Sequence, residues 1–291
     1  MTASGSERRV RTGGIPPTLV VGLGLLLLVT VFALAAPLFG NPYEQDLIHG
    51  LSPTALPLGI GSPNYPLGSD TLGRSQLPRL AYGARVSLIV ALVSSATSIL
   101  IGATMGIIAG YRGGRTEQLL MRFTDMGLSM PTTLAALVIA GLLPGGILRV
   151  LVIITALFWA YPARLIYGEV LRLRHRAFVE AAEAAGGRSA TIMRRHLLPH
   201  LSPLMITYFP LNAVSAVLFE AGISFLGAGV NPPTPSWGNM ISDGESAIVY
   251  APHLLLEPAI CILLTTMAFV LIGEGLKARN PDLARVSWLA T

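Results

Sequence analysis

The sequence holds one lysine, Lys277, and one cysteine, Cys261, among 291 residues. A phosphate-binding loop of the form Gly-x-x-x-x-Gly-Lys-Ser/Thr needs its lysine to reach the phosphates. Lys277 lies between Leu276 and Ala278, so that loop is excluded. A lone cysteine in an apolar run excludes an internal disulfide framework and a cysteine-built metal site. Neither His-Glu-x-x-His nor Gly-x-Ser-x-Gly occurs, which removes the commonest zinc-peptidase and hydrolase patterns. His196 and His200 are four apart, but Pro199 separates them and no third ligand is near, a poor start for a zinc site. No Asn-x-Ser/Thr acceptor is present, in keeping with a prokaryotic chain. Charge is also scarce: 12% of residues, where soluble domains run near roughly a quarter.

Apolar residues fill the gap. They make up 52% of the chain, more than a core of this size could hide while keeping a polar shell. Crossing the hydrocarbon layer takes about 20 apolar residues as helix. Six runs qualify: 18–36, 86–109, 119–143, 147–167, 204–226 and 254–272. The first, preceded by Arg8, Arg9 and Arg11 and ending in Ala33-Leu34-Ala35, also fits a secretory signal. Its apolar core is long for one, and no soluble domain follows, so a membrane helix is the expectation.

Basic residues set the orientation, because they collect on the cytoplasmic side. With the N-terminus inside, sixteen of the 20 Lys and Arg fall inside, against Arg74, Arg79, Arg85 and Arg149 outside. Both termini are therefore expected in the cytoplasm. The formal charge of +5 is topology, not a nucleic-acid surface.

Within the runs, Gly102, Gly106 and Gly110 make a bare stripe that lets helix backbones approach closely. Pro131, Pro162, Pro210 and Pro258 should bend four helices, which suits a bundle around a cavity. Asp125 has Arg122 one turn earlier, and an ion pair between them is expected. Glu220 and Glu257 lie toward the outer ends of the fifth and sixth runs. They either cap helix ends near the headgroups or face a polar translocation path and meet cationic cargo. The helix centres carry almost no other ionisable groups, which argues against a proton relay. Outside, the 37–80 connection is rich in Pro and Gly with no obvious core. The stretch Asn231-Pro232-Pro233-Thr234-Pro235-Ser236-Trp237 should be stiff and non-helical.

The inside connection, 168–203, is the most informative. Its Phe178-Val179-Glu180-Ala181-Ala182-Glu183-Ala184-Ala185-Gly186 reads as a slim alanine-rich helix with Phe178 as an apolar knob. Gly186 should end it and turn the chain. A second helix is expected over 189–198, stopping before Pro199. A short amphipathic element on a basic loop reads as a docking device for a cytoplasmic protein.

These residues carry a resemblance. Glu180-Ala181-Ala182, Gly186 four residues later, and Leu198-Pro199 resemble the EAA loop of ATP-binding-cassette importer permeases. His196 departs from that loop's usual isoleucine. Three further stretches are similar to the C-type permease subunit of oligopeptide and dipeptide importers. They are Pro66-Leu67-Gly68-Ser69-Asp70-Thr71-Leu72-Gly73-Arg74, Gly83-Ala84-Arg85-Val86-Ser87, and Ser224-Phe225-Leu226-Gly227 through Met240. The similarity runs over 18–283, with Ser75 and Glu257 as departures that leave substrate choice open.

The resemblance implies an all-α integral membrane protein with six transmembrane helices, the type I importer transmembrane domain. Residues 1–80 would form the N-terminal tail, first helix and outer loop; 81–276 the core with its coupling loop 168–203; and 277–291 the C-terminal tail. It implies a non-catalytic subunit of the bacterial inner membrane that binds no cofactor, with ATP and magnesium held by partner subunits. The partners would be a B-type permease, two cytoplasmic ATPase domains and an extracytoplasmic peptide-binding protein. Phe178, Glu180, Ala181, Ala182, Gly186, Leu198 and Pro199 would couple to the ATPase. Tyr65, Asp70, Arg74 and Trp237 stand where the binding protein would dock. Nickel chelates or another small solute are the alternative cargo, and an ion-coupled secondary transporter is the alternative class.

Overall fold

The computed structural model describes residues 15–279. Arg8, Arg9, Arg11, Arg285 and the tails that carry them lie outside the described residues. Among the described residues there is no strand, only isolated antiparallel bridges at Leu51–Pro57, Ser62–Tyr65 and Ser69–Ser75.

Five stretches are long and apolar enough to cross a bilayer: Pro17–Leu34, Gln76–Arg112, Ile147–Leu173, Ser189–Phe225 and His253–Arg279. A sixth is a bent pair. Helices α1 (Pro17–Leu34) and α2 (Gln76–Arg112) are each unbroken. The run expected as one helix over 119–143 is two, α3 (Gly114–Ser129) and α4 (Thr132–Leu142), set at 93°. Pro131 causes the break: its ring pushes the preceding residue out of the α region, and Met130 sits at ψ 133°. The next span divides less sharply into α5 (Ile147–Phe158) and α6 (Ala160–Leu173). Pro162 supplies no N–H for the Phe158 carbonyl, and the helix lapses at Trp159. Pro210 and Pro258, by contrast, sit inside unbroken helices.

After α6 come α7 (Ala177–Ala184) and α8 (Ser189–Ile192). The helix expected to stop before Pro199 does not stop. It passes through a π turn, Met193–Leu197, into α9 (Leu198–Phe225), where Pro199 falls in the first turn. The wider turn, with Leu198 N–H bonded to the Met193 carbonyl, brings Pro199 to a position that needs no donor. Helices α10 (Trp237–Gly244) and α11 (His253–Arg279) complete the fold.

Helix α2 is the spine, packed against α5, α6, α9 and α1, while α11 runs between α1 and α9. Lipid offers no hydrophobic drive for such packing, so close approach must supply it. The glycine stripe does this against α6. A Cβ on Gly102 would stand 2.8 Å from the Ala163 nitrogen, and one on Gly106 would stand 2.6 Å from the Ala163 oxygen. The α1–α11 contact uses the same device from both sides. A Cβ on Gly22 would meet the Ile272 nitrogen at 2.8 Å, and one on Gly275 the Leu19 Cβ at 2.6 Å. That second pair is spread over distant runs, which is why no sequence stripe announces it.

Candidate functional site

At one end of the bundle, α7 is held by one fully buried side chain and its half-buried neighbours. Val179 is fully buried among Ile192, Leu197, Leu201 and Val170. Arg176 enters the helix with extended backbone, and Glu180 falls in the first turn, where a carboxylate favours the helix N-terminus. The exit is a Schellman motif. Gly187 N–H donates to the Ala182 carbonyl at 3.0 Å, and Gly186 N–H to the Glu183 carbonyl at 2.9 Å. Gly186 takes φ +76°, the left-handed conformation such a turn requires. Tyr111, near the end of α2, ties the element down by donating to Glu183 Oε1 at 2.9 Å.

Glu180, Ala181, Gly186, Leu198 and Pro199 are exposed on this face, joined by Arg176, Arg188, Arg194 and Arg195. Two residues depart from expectation. Phe178 is no free knob, because it is half-buried with its ring stacked on His200 at 4.4 Å and 11°. Ala182 is half-buried against the Val179 cluster, so Ala181 rather than Ala182 presents the bare surface. His200 Nδ1 meets the His196 carbonyl at 2.7 Å, and no group of three metal-ligating side chains exists among the described residues.

The opposite end carries a platform built on buried charge. Asp70 Oδ1 accepts from the N–H of Leu72 and of Arg74, both at 2.9 Å. Its Oδ2 accepts from Arg74 Nε at 2.6 Å and stands 3.4 Å from Arg79 Nε. Both arginines reach on to Asp243 of α10, at 3.5 and 3.3 Å. Burial holds the Asp243 carboxyl above its ordinary range, against the pull of Arg79 and Arg74. Trp237 is wholly buried, with Nε1 donating to the Leu80 carbonyl at 3.1 Å. Ser236 and Asn239 close a capping box on α10. The 37–80 connection therefore has a core after all. Ser69 Oγ donates to the Gly50 carbonyl and accepts from Leu58 N–H, and Tyr65 donates to Asp46 at 3.2 Å.

This corrects the docking set. Tyr65, Asp70, Arg74 and Trp237 are all buried, so they build the platform and present no contact surface. The exposed apolar residues of these outer segments include Ile48, Ile60 and Val249, and Asn231 to Pro233 are exposed as well. Isolated isoleucines and a valine carry no motif, which is why sequence reasoning passed over them.

The carboxylates divide. Glu220 is fully buried and presents no surface. Ser87 donates to it at 3.2 Å and Ser224 at 2.7 Å, so it knits α9 to α2. Glu257 is 9% exposed, and neither of its carboxylate oxygens has a partner. Neither residue stands at a helix terminus as a cap. Asp125 pairs with Arg164 of α6 instead of Arg122. A second Schellman motif ends α9: Ala228 N–H donates to Ile223 at 2.8 Å, Gly227 N–H to Ser224 at 3.0 Å, and Gly227 has φ +77°.

Residues 102–280 match the family model described as binding-protein-dependent transport system inner membrane component. The oligopeptide transport system permease protein OppC of Bacillus subtilis is 32% identical, over 91% of this chain and 86% of that protein. The glutathione transport system permease protein GsiD of Pectobacterium atrosepticum is 33% identical, over 90% and 86%. The dipeptide transport system permease protein DppC of Bacillus subtilis is 34% identical, over 91% and 82%. Among solved structures, an inward-facing form of the MetNI methionine ABC transporter superposes with a TM-score of 0.58 at 18% identity. That superposition covers 69% of this chain and 94% of the other, and it establishes the shared fold. The helix order, the exposed alanine-rich element and these matches agree: the chain belongs to the binding-protein-dependent transport system inner membrane component family.

Proposed function

We propose that this chain is one of two permease subunits of an ATP-driven peptide importer, forming half of the translocation path. The observation that carries this reading is the exposed Glu180–Ala181 face, closed by Gly186 and joined to a membrane-crossing helix, which suits a groove on a separate ATPase. The relatives named for oligopeptides, dipeptides and glutathione support peptides over nickel chelates as cargo. The basic residues around α7 support a cytoplasmic position for that face and for both termini, in a bacterial inner membrane. A B-type permease completes the path, and an extracytoplasmic peptide-binding protein lands on the opposite platform, over Ile48, Ile60 and Val249. The chain itself catalyses nothing. ATP and magnesium reside on the two ATPase domains, whose closure draws the α7 elements together and rocks the permeases.

The test is expression with the neighbouring transport genes, purification in mild detergent and reconstitution in proteoliposomes. Co-purification of ATPase subunits and peptide uptake that requires ATP and the binding protein are expected. Uptake that runs on an ion gradient without ATP would refute the assignment.

A further inference from the structure

Two large grooves open on the bundle, and their chemistry differs. One, of about 510 Å³, is lined only by apolar residues of α2, α9 and α11, such as Ile99, Leu100, Ile206 and Phe209. Acyl chains or another helix can fill such a groove without loss. The other, of about 400 Å³, lies between the α3–α4 break, the α5–α6 junction and α9. Its lining includes Thr132, Phe158, Tyr161, Tyr208, Asn212 and Ser215, and it contains no charged residue.

Resting on the reading as a peptide importer, we infer that this second groove is where the chain touches its cargo, taking the peptide backbone through neutral hydrogen bonds. Asn212 is the first reason. It is 4% exposed, it lines the groove, and its Nδ2 has no partner. An amide donor without a partner in a low-dielectric interior is costly, and a peptide carbonyl is the acceptor that relieves it. Tyr161 and Tyr208 are the second. Their rings stack at 5.8 Å and 14°, which stiffens a wall that carries two hydroxyl groups. Tyr161 is 53% exposed and Ser215 is exposed, so both are open to a passing molecule.

Position is the third reason. Met130–Pro131 and Trp159 are the irregular points of two successive spans, and residues next to both, Thr132 and Phe158, line this groove. Tyr161 stands fifteenth of the 27 residues in Ile147–Leu173, near the middle of its span. Irregular backbone within the membrane is tolerated where it lines a cavity, and broken helices at mid-depth mark transporter sites. The lack of charge fits cargo recognised by what all peptides share, the amide backbone, whatever their side chains.

The test uses the whole transporter in proteoliposomes, with tri-alanine as the probe. A photoreactive benzoylphenylalanine replaces Ser215 in one preparation and Ile206, in the apolar groove, in another. Labelling of tri-alanine from position 215 but not from 206, during ATP-driven turnover, is expected. In parallel, Asn212→Leu should lower uptake per ATP hydrolysed about tenfold, and Asn212→Gln, which keeps an amide, should recover part of it. Capture only of the companion permease or of lipid from position 215 overturns the inference, because the groove is then an interface. So does wild-type transport by Asn212→Leu. If the unmodified complex moves no tri-alanine although its ATPases hydrolyse ATP, the peptide reading itself falls, and this inference with it.

Discussion

Replacing Gly186 isolates backbone conformation from contact. A Cβ at this position would meet nothing within 4 Å, so any penalty arises from φ +76° alone. Holding an L-residue in the left-handed region costs roughly 1–2 kcal/mol, toward the lower end for alanine and the upper for β-branched valine. Asparagine tolerates that region and should be mildest. One to two kcal/mol is a factor of about 5–30 in a local equilibrium. That is comparable with what holds α7, which rests on Val179, the half-buried Phe178 and Ala182, and the Tyr111–Glu183 bond. Gly186→Val should thus release the end of α7 in most molecules while the spans insert normally. Gly187 offers a contrast, because its φ is not left-handed but its Cβ would stand 2.7 Å from the Ala182 oxygen. Gly187→Ala should fail by collision. The assay is uptake and ATP hydrolysis in the same proteoliposomes. Hydrolysis should persist while uptake per ATP falls in the order Asn, Ala, Val at position 186. Wild-type stoichiometry in Gly186→Val would refute both the conformational argument and the coupling role of α7.

Three further perturbations follow from the geometry. Glu220→Ala strands the Ser87 and Ser224 hydroxyls and should lower stability by about 1–3 kcal/mol, read as detergent melting; equal losses for basic and neutral peptides are expected, since the side chain meets no cargo. Asp70→Asn leaves Arg74 and Arg79 short of a buried counter-charge and should cost about 3–5 kcal/mol; the buried Trp237 reports it through a red-shifted emission at a lower melting temperature. Asp46 is held below its ordinary 3.8, first by the His49 N–H, so its contribution to the outer loop is complete above about pH 4 and lost as pH falls through the depressed value. Protease nicking between Asp46 and Tyr65 should therefore rise below about pH 4, and Asp46→Asn should remove that dependence.

The spans were legible because length and apolarity are one-dimensional properties, and a run such as 254–272 can only be a buried or lipid-facing helix. The end of α7 was legible for a related reason. A Schellman turn is local, so Gly186 announces it without reference to the rest of the fold. Partners across the bundle were not legible. On paper Arg122, one turn away, is the partner of Asp125, and only the packing of α3 on α6 brings Arg164 to it. Trp237 shows the same limit. Its flanking prolines and glycine read as an exposed loop, whereas its ring is seated in the space that Gly83 leaves and its Nε1 bonds to Leu80, 157 residues earlier. The groove around Asn212 escaped notice because its members come from three spans, each contributing one or two polar atoms to an otherwise apolar run.

The unbroken Ser189–Phe225 stretch has a mechanical consequence. Its 37 residues make a rod about 55 Å long at 1.5 Å per residue. The π turn at Met193–Leu197 sits near one end, leaving four residues, or about 6 Å, on one side of it and 28 residues, or about 42 Å, on the other. If the turn acts as fulcrum, the arms stand at a ratio of about seven, so an ångström of travel beside α7 becomes several ångströms at Phe225. A short stroke at the loop would then become a wide sweep across the bundle.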